Sequence, residues 1–168
     1  MKFLKLALAA LAAVVAMPAM AQMNIGLIEP FAIANPAGRT GAIFLTIDNG
    51  GAVDDRLVEA QTDVAERVEL HTMIAAADGV MKMRQIEGGI EIPAGGSHEL
   101  KRGGDHIMLL GLTRELEVGA SFPVTLVFEQ MGMVTIQVTV IDPNADQGMQ
   151  GHGMQGHDMQ GHGMSGGN

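Results

Sequence analysis

Apolar and polar residues alternate in short runs between residues 25 and 141, and most runs end at glycine- or proline-containing turns. A period of two is typical of strands with one buried face, and no stretch before Asp142 keeps a helical period. The pattern predicts an all-β domain, an antiparallel β-sandwich or Greek-key barrel. Glu29 and Pro30 predict that the first strand is an irregular edge strand, because proline cannot donate to a strand ladder. The predicted strands are residues 25–33, 40–48, 56–60, 66–73, 81–86, 90–92, 97–101, 106–112, 121–128 and 133–141.

The first 21 residues have the pattern of a secretory signal peptide. Lys2 and Lys5 form a basic start, residues 6–16 are an apolar run, and Ala19-Met20-Ala21 is a small-x-small cleavage site. A transmembrane anchor is the alternative, but the apolar run is short for a span and no stop-transfer pattern follows. We therefore expect a periplasmic protein with no stable membrane insertion, whose mature chain begins at Gln22.

Residues 143–168 differ in composition from the predicted domain at residues 22–142. They are mostly glycine, glutamine, methionine and histidine, which predicts a tail that is disordered without a ligand. Three His-x-Met units recur every five residues in this tail, and histidine-rich tracts of this kind bind metals. The predicted tail ligands are His152, Met154, His157, Met159, His162 and Met164.

Cysteine usage and net charge exclude several classes of function. The chain has no cysteine, which excludes thiol redox chemistry, thiolate metal sites and a blue-copper electron-transfer centre. Loss of Lys2 and Lys5 with the signal peptide would change the formal net charge from −9 to −11, which argues against nucleic acid and anionic lipid as partners. No paired carboxylates, Ser/His/Asp set or cofactor loop is evident, so we expect a protein that is not an enzyme.

Residues 71–108 have the highest density of soft and borderline metal ligands in the predicted domain. His71 and Met73, Met81 and Met83, and His106 and Met108 are each two residues apart, which places each pair on one face of a strand. Thioether and imidazole donors together favour Cu(I) over Zn(II), Mg(II) or Ca(II). The alternative is that these methionines fill gaps in the core, and for any single methionine that is the better interpretation. For Met73 and Met81 we favour the core, and a flanking shield or alternate ligands remain open.

The first hairpin of this stretch has two possible registers. A two-residue turn at Asp78-Gly79 would put Met83 on the face opposite His71, whereas a five-residue loop at residues 75–79 would pair His71 with Met83. We predict the longer loop. Glu69 is set aside as a partner of His71, on the expectation that strand alternation points it to the opposite face.

The order and spacing of four of these residues resemble the periplasmic copper chaperones of the PCu(A)C type. Eleven residues separate His71 from Met83, and twenty-two separate Met83 from His106-x-Met108. The flanking segments Asp78-Gly79-Val80-Met81, Glu87-Gly88-Gly89, Pro93-Ala94-Gly95-Gly96-Ser97 and Gly103-Gly104 are similar too.

The resemblance implies a cupredoxin-like Greek-key β-barrel that binds Cu(I) through His71, Met83, His106 and Met108. It also implies delivery of copper towards the CuA centre of cytochrome c oxidase, and a tail that binds a second copper as Cu(II).

Three positions depart from the family pattern. Thr72 stands where the family often has methionine, Phe31 is the aromatic residue nearest to an expected tryptophan, and Asp105 replaces a tyrosine. We expect Asp105 to raise the basicity of His106 or to make the rim of the site more acidic, and we expect His98 to be a solvated surface residue.

Two other functions remain open beside copper delivery. A periplasmic copper buffer or resistance protein would use the same ligands but would not deliver the metal. A copper-cycling oxidase or reductase at the tail is the enzymatic alternative. For delivery, the expected partners are the CuA subunit of the oxidase or a thiol-containing copper accessory protein.

Overall fold

The computed structural model describes residues 24–77 and 79–144 of the chain. The predicted signal peptide and the six predicted ligands of the tail (His152, Met154, His157, Met159, His162 and Met164) lie outside the described residues, as does Asp78 of the first hairpin turn. No helix within the described residues is long and apolar enough to cross a membrane.

The described part of the chain forms ten strands and one short 3-10 helix at Pro36–Gly38, which confirms the all-β prediction. The strands are β1 (Ile25–Asn35), β2 (Thr40–Asn49), β3 (Asp55–Gln61), β4 (Ala65–Ala75), β5 (Met81–Gln85), β6 (Ile90–Ile92), β7 (Ser97–Leu100), β8 (His106–Leu112), β9 (Ser121–Phe128) and β10 (Gly132–Val140). Hydrogen bonds join nine of them in the order β5-β4-β8-β2-β1-β10-β9-β3-β6, and β7 pairs with β2.

The prediction of an edge strand is wrong for β1 from Phe31 onward, where the strand has a partner on each side. β1 pairs antiparallel with β2 and, from Phe31 onward, parallel with β10, so the sheet is not wholly antiparallel either. The predicted irregularity at Glu29 and Pro30 is confirmed. The register with β2 shifts between Ile28 and Phe31, and Glu29 has a φ of 51°. The missing N–H of Pro30 is therefore accommodated at a bulge, directly before the residues that pair with β10.

The period-two alternation of β8 separates the core from the face that carries the candidate ligands. Ile107 and Leu109 are fully buried in the apolar core, together with Ile43 of β2 and Leu70 of β4. His106 and Met108, one residue out of phase, lie on the opposite face of the strand. Burial of the apolar set therefore fixes where the candidate ligands point.

Asp55 ties the start of β3 to the turn between β9 and β10. Its carboxylate is buried and accepts hydrogen bonds from the backbone N–H groups of Arg56 at 2.7 Å, Gln130 at 2.9 Å and Met131 at 3.0 Å. Three such bonds satisfy a buried charge and hold this end of the sheet together.

Candidate metal centre

The hairpin of β4 and β5 brings histidine and methionine side chains to one face of the sheet. Its loop spans residues 76–80 and is closed by hydrogen bonds from the Ala76 N–H to the Val80 carbonyl and from the Gly79 N–H to the Ala76 carbonyl, both at 2.9 Å. Met73 pairs with Met83, and His71 pairs with Gln85. The predicted pairing of His71 with Met83 is therefore wrong by two residues. A shift of two preserves the face, so His71 and Met83 still point to the same side.

The central strand β8 carries the second half of the candidate ligand set. β8 lies between β4 and β2, where His106 pairs with His71 and Met108 pairs with Glu69 on one side and Ala42 on the other. The imidazole rings of His71 and His106 meet edge to face, with centroids 6.0 Å apart. The pairing of β4 with β8 thus joins residues that are 35 positions apart in the sequence.

Four of the six candidate side chains line one cleft of about 310 Å³. Met73, Met83, His106 and Met108 line it, with Phe44 against the ring of His106 at a centroid distance of 6.1 Å. His106 is only 4% exposed, whereas Met83 is 46% exposed. The cleft therefore has a buried imidazole at its base and a thioether at its mouth.

The other two candidates lie at different distances from this cleft. His71 is beside it, in ring contact with His106. Met81 pairs with Ala75 at the far end of the hairpin, is 47% exposed, and is absent from the lining. The structure thus brings Met73 into the cluster and leaves Met81 outside it.

A backbone hydrogen bond orients the imidazole of His106. Its Nδ1–H donates to the Gly104 carbonyl at 3.0 Å, which leaves the lone pair of the neutral ring on Nε2. The Asp105 carboxylate does not contact this ring and instead accepts a hydrogen bond from Nε2–H of His98 at 2.9 Å, so an effect of Asp105 on His106 or on the rim of the site stays a prediction. His98 is correspondingly a paired, half-buried residue and not a freely solvated one.

A carboxylate orients the imidazole of His71. Its Nε2–H donates to Oε2 of Glu69 at 2.8 Å, so the prediction that Glu69 points to the opposite face is wrong. Residues 69 and 71 are two apart on one strand and share a face, and the alternation of the sequence already contained this signal. Nδ1 of His71 is buried and has no hydrogen-bond partner among the described residues.

The donors gathered here suit a soft cation. They comprise two imidazoles, each with one nitrogen held as a hydrogen-bond donor, and three thioethers. Such donors favour Cu(I), and a metal would also satisfy the buried Nδ1 of His71. Within residues 24–77 and 79–144, no group of three or more His, Asp and Glu side chains converges in a way that could hold a metal ion.

A larger cleft of about 680 Å³ lies elsewhere on the sheet and has a different character. Arg56 on its wall pairs with Glu91 at 2.7 Å and with Glu129 at 3.5 Å, and His98 pairs with Asp105. Since these charged groups are already matched with one another, the smaller cleft is the better candidate metal centre.

Comparison with known proteins gives matches over most of the chain. Residues 12–140 match the family described as "Putative lipoprotein LpqE-like". "Putative lipoprotein Lxx21020" from Leifsonia xyli subsp. xyli is 35% identical over 106 residues, and the match spans 63% of each protein, which is less than two thirds of that relative.

Solved structures with the same fold include two copper-loaded proteins. The copper-bound PCuAC domain from PmoF2 is 26% identical with a TM-score of 0.61, over 73% of this chain and 97% of that domain. The Cu(I) form of DR1885 from Deinococcus radiodurans is 29% identical with a TM-score of 0.57, over 74% of this chain and 83% of that one. The cupredoxin-like architecture predicted from the sequence is confirmed by these matches.

Proposed function

Because the chain belongs to the LpqE-like family and its β-domain has the cupredoxin-like fold of PCuAC domains, we propose that it is an exported copper chaperone. Its cargo is Cu(I), bound by His71, Met83, His106 and Met108. The proposal rests mainly on the cleft that the buried imidazole of His106 shares with three thioethers, with the imidazole of His71 in ring contact beside it.

The geometry suits a carrier that must both hold and release its metal. His106 is buried and offers Nε2, and His71 offers Nδ1 from a buried position. Thioethers have no proton to lose, so binding competes with protons only at the two histidines. All four donors are neutral, and they hold copper less tightly than thiolates would. Transfer to an acceptor with cysteine ligands is therefore favourable.

Met83 is the donor that an acceptor would reach first. It lies at the mouth of the cleft and is about half exposed, whereas His106 is almost fully buried. Replacement of the Met83 thioether by an acceptor ligand would open the coordination sphere while the other donors still hold the ion. This order of exchange favours direct handover over release of free Cu(I).

The proposed acceptor is the CuA site of cytochrome c oxidase or a thiol-containing accessory protein for that site. The test mixes the Cu(I)-loaded chain with an apo CuA domain under anaerobic conditions and follows the copper content of each protein after separation. Transfer is expected to the native acceptor and not to an acceptor whose cysteines are alkylated. If no acceptor takes up copper, the alternative function applies, that of a periplasmic copper buffer.

We further propose that the tail binds a second copper, as Cu(II), close to the cleft. Arg102, which lines the cleft, donates a hydrogen bond from Nη2 to the Pro143 carbonyl at 2.9 Å. The chain therefore leaves the domain near the candidate centre. Eight residues lead from Asn144 to His152 and span at most about 29 Å. The first imidazole of the tail can thus reach the cleft of the same molecule.

Export and the lack of catalysis are parts of the same proposal. Cleavage after Ala21 predicts that the protein isolated from the periplasm begins at Gln22, which N-terminal sequencing tests. A carrier is also expected to show no turnover. Aerobic oxidase activity that persists in a chain lacking residues 145–168 would contradict that part.

A further inference from the structure

We propose that Glu69 is a positioning residue that holds His71 so that copper is bound through Nδ1 of that ring. The proposal rests on the proposed Cu(I) site and adds a residue to it. It also predicts that the two histidines bind the metal through different nitrogens, His71 through Nδ1 and His106 through Nε2.

Three side chains on one face of β4 form a connected chain of charges and hydrogen bonds. Arg67 Nη1 lies 3.4 Å from Oε1 of Glu69, and Oε2 of Glu69 accepts the Nε2–H of His71 at 2.8 Å. Residues 67, 69 and 71 are spaced by two, which brings them to one side of the strand. The Arg67 side chain is 70% exposed, but Glu69 and His71 are only 19% and 12% exposed. Each carboxylate oxygen thus has its own partner, and the inner one is shielded from water.

This arrangement decides which nitrogen of His71 carries the lone pair. An ionised carboxylate only accepts hydrogen bonds, so the ring nitrogen that faces it must be the donor. The neutral ring then has its lone pair on Nδ1, which is buried and lacks a partner among the described residues. Buried acceptors are normally satisfied, and an unsatisfied one in a fold this regular points to a ligand. A carboxylate behind a metal-binding histidine fixes the tautomer in the same way.

Glu69 also supplies a negative charge near the proposed Cu(I) site. The four proposed donors are neutral, so bound Cu(I) keeps its single positive charge. Glu69 is opposite Met108 in the β4–β8 ladder, and its carboxylate hydrogen-bonds His71, so it neighbours two proposed ligands. A negative charge on a residue that contacts a ligand stabilises the metal-bound state in a partly buried site.

The test uses the mature full-length chain labelled with ¹⁵N-histidine, with and without one equivalent of Cu(I). Long-range ¹H–¹⁵N spectra identify the nitrogen of each ring that carries the proton and the nitrogen that binds metal. The His71 signals are assigned by their absence in His71→Gln. Apo wild type is expected to show His71 protonated at Nε2, and the Cu(I) form to show a shift at Nδ1 of His71 and at Nε2 of His106.

Two substitutions separate the hydrogen bond from the charge, and a third is the matched control. Glu69→Gln retains an acceptor for Nε2–H and should keep ligation through Nδ1. Glu69→Ala should leave His71 as a mixture of tautomers and raise the Cu(I) dissociation constant by about 10–100-fold. Glu66→Ala removes an exposed carboxylate from the same strand and should change neither readout.

The outcomes distinguish this proposal from the proposed function. Cu(I) uptake with His71 metallated at Nε2 would overturn the role of Glu69 and leave the copper site standing. The same holds if Glu69→Ala keeps both ligation through Nδ1 and the wild-type affinity. Failure of the wild type to take up Cu(I) would instead overturn the proposed function and this inference with it.

Discussion

Replacement of Met83 by leucine is expected to weaken Cu(I) binding without abolishing it. Met73 pairs directly with Met83 across the hairpin and lines the same cleft, so it can supply a thioether when Met83 is removed. Directly opposed residues have Cβ atoms about 4.5–5.5 Å apart, which is close enough for either sulfur to reach one ion. The prediction is therefore that these two methionines are partly redundant.

The structure sets the expected size of the effect. Leucine and methionine are similar in volume and Met83 is about half exposed, so the free energy of unfolding should change by less than about 1.5 kcal/mol. We expect Met83→Leu to raise the Cu(I) dissociation constant about tenfold, which corresponds to about 1.4 kcal/mol. Met73→Leu alone should have a smaller effect, because Met83 remains in place. The double variant should lose more Cu(I) binding free energy than the two single variants lose together, since neither thioether can then replace the other.

Anaerobic competition with a chromophoric Cu(I) chelator measures each affinity, and X-ray absorption counts the sulfur ligands. Met133→Leu is the matched control, because Met133 is 73% exposed on β10 and lies outside the cleft. The two methionines are not redundant if the double variant loses only as much Cu(I) binding free energy as the two single variants lose together. If the double variant binds as tightly as the wild type, neither thioether is a ligand.

Three further predictions separate folding, the core site and the tail. Asp55→Ala leaves three backbone N–H groups without their acceptor and should lower the free energy of unfolding by about 3 kcal/mol, measured by urea denaturation; a loss below about 1 kcal/mol would contradict the role given to this carboxylate. Leu126→Ala creates a cavity at a fully buried position remote from the cleft and should cost about 2–5 kcal/mol of stability while the folded protein keeps its Cu(I) affinity. If the Cu(I) binding free energy fell by as much as the stability, the site would respond to packing anywhere in the sheet. Deletion of residues 145–168 should lower the Cu(II) stoichiometry and leave one Cu(I) per chain, and unchanged Cu(II) binding would contradict the role of the tail.

The sequence was sufficient to place the strands and the face of each candidate ligand. Alternation fixes which residues are buried, so His106 and Met108 had to lie opposite Ile107 and Leu109. The length of the hairpin loop was also predictable, at five residues. Its position was not, because Ala75 and Val80 can each end a strand equally well, and backbone hydrogen bonds closed the loop one residue later than predicted.

The pairing of distant strands was harder to predict from the sequence than the local alternation of apolar and polar residues. The partner of β1 on its second side is β10, more than 100 residues later, and that parallel pairing leaves no periodic signal in either segment. Pro30 suggested an edge because it cannot donate, but it lies at a bulge, and from Phe31 onward β1 gains a second partner.

The hydrogen-bond partners of the charged residues could be predicted only in part from the sequence. Glu69 and His71 are two residues apart, so their contact followed from the alternation itself. The pairing of Asp105 with His98 could not be inferred, because it depends on how the turn between β7 and β8 folds back. That contact gives Asp105 a partner other than His106, the neighbour that its position in the sequence suggested.

The central claim is that the imidazole at the base of the cleft binds Cu(I). The most direct test compares His106→Ala with His98→Ala in the mature full-length chain, by anaerobic Cu(I) titration against a competing chelator. The two variants remove the same group from the same domain, but only His106 lines the cleft. We expect His98→Ala to bind as many Cu(I) ions as the wild type, with the same affinity. We expect His106→Ala to bind one equivalent fewer, or to bind it at least tenfold more weakly, about 1.4 kcal/mol. Equal Cu(I) binding by His106→Ala and the wild type would show that His106 is not a copper ligand.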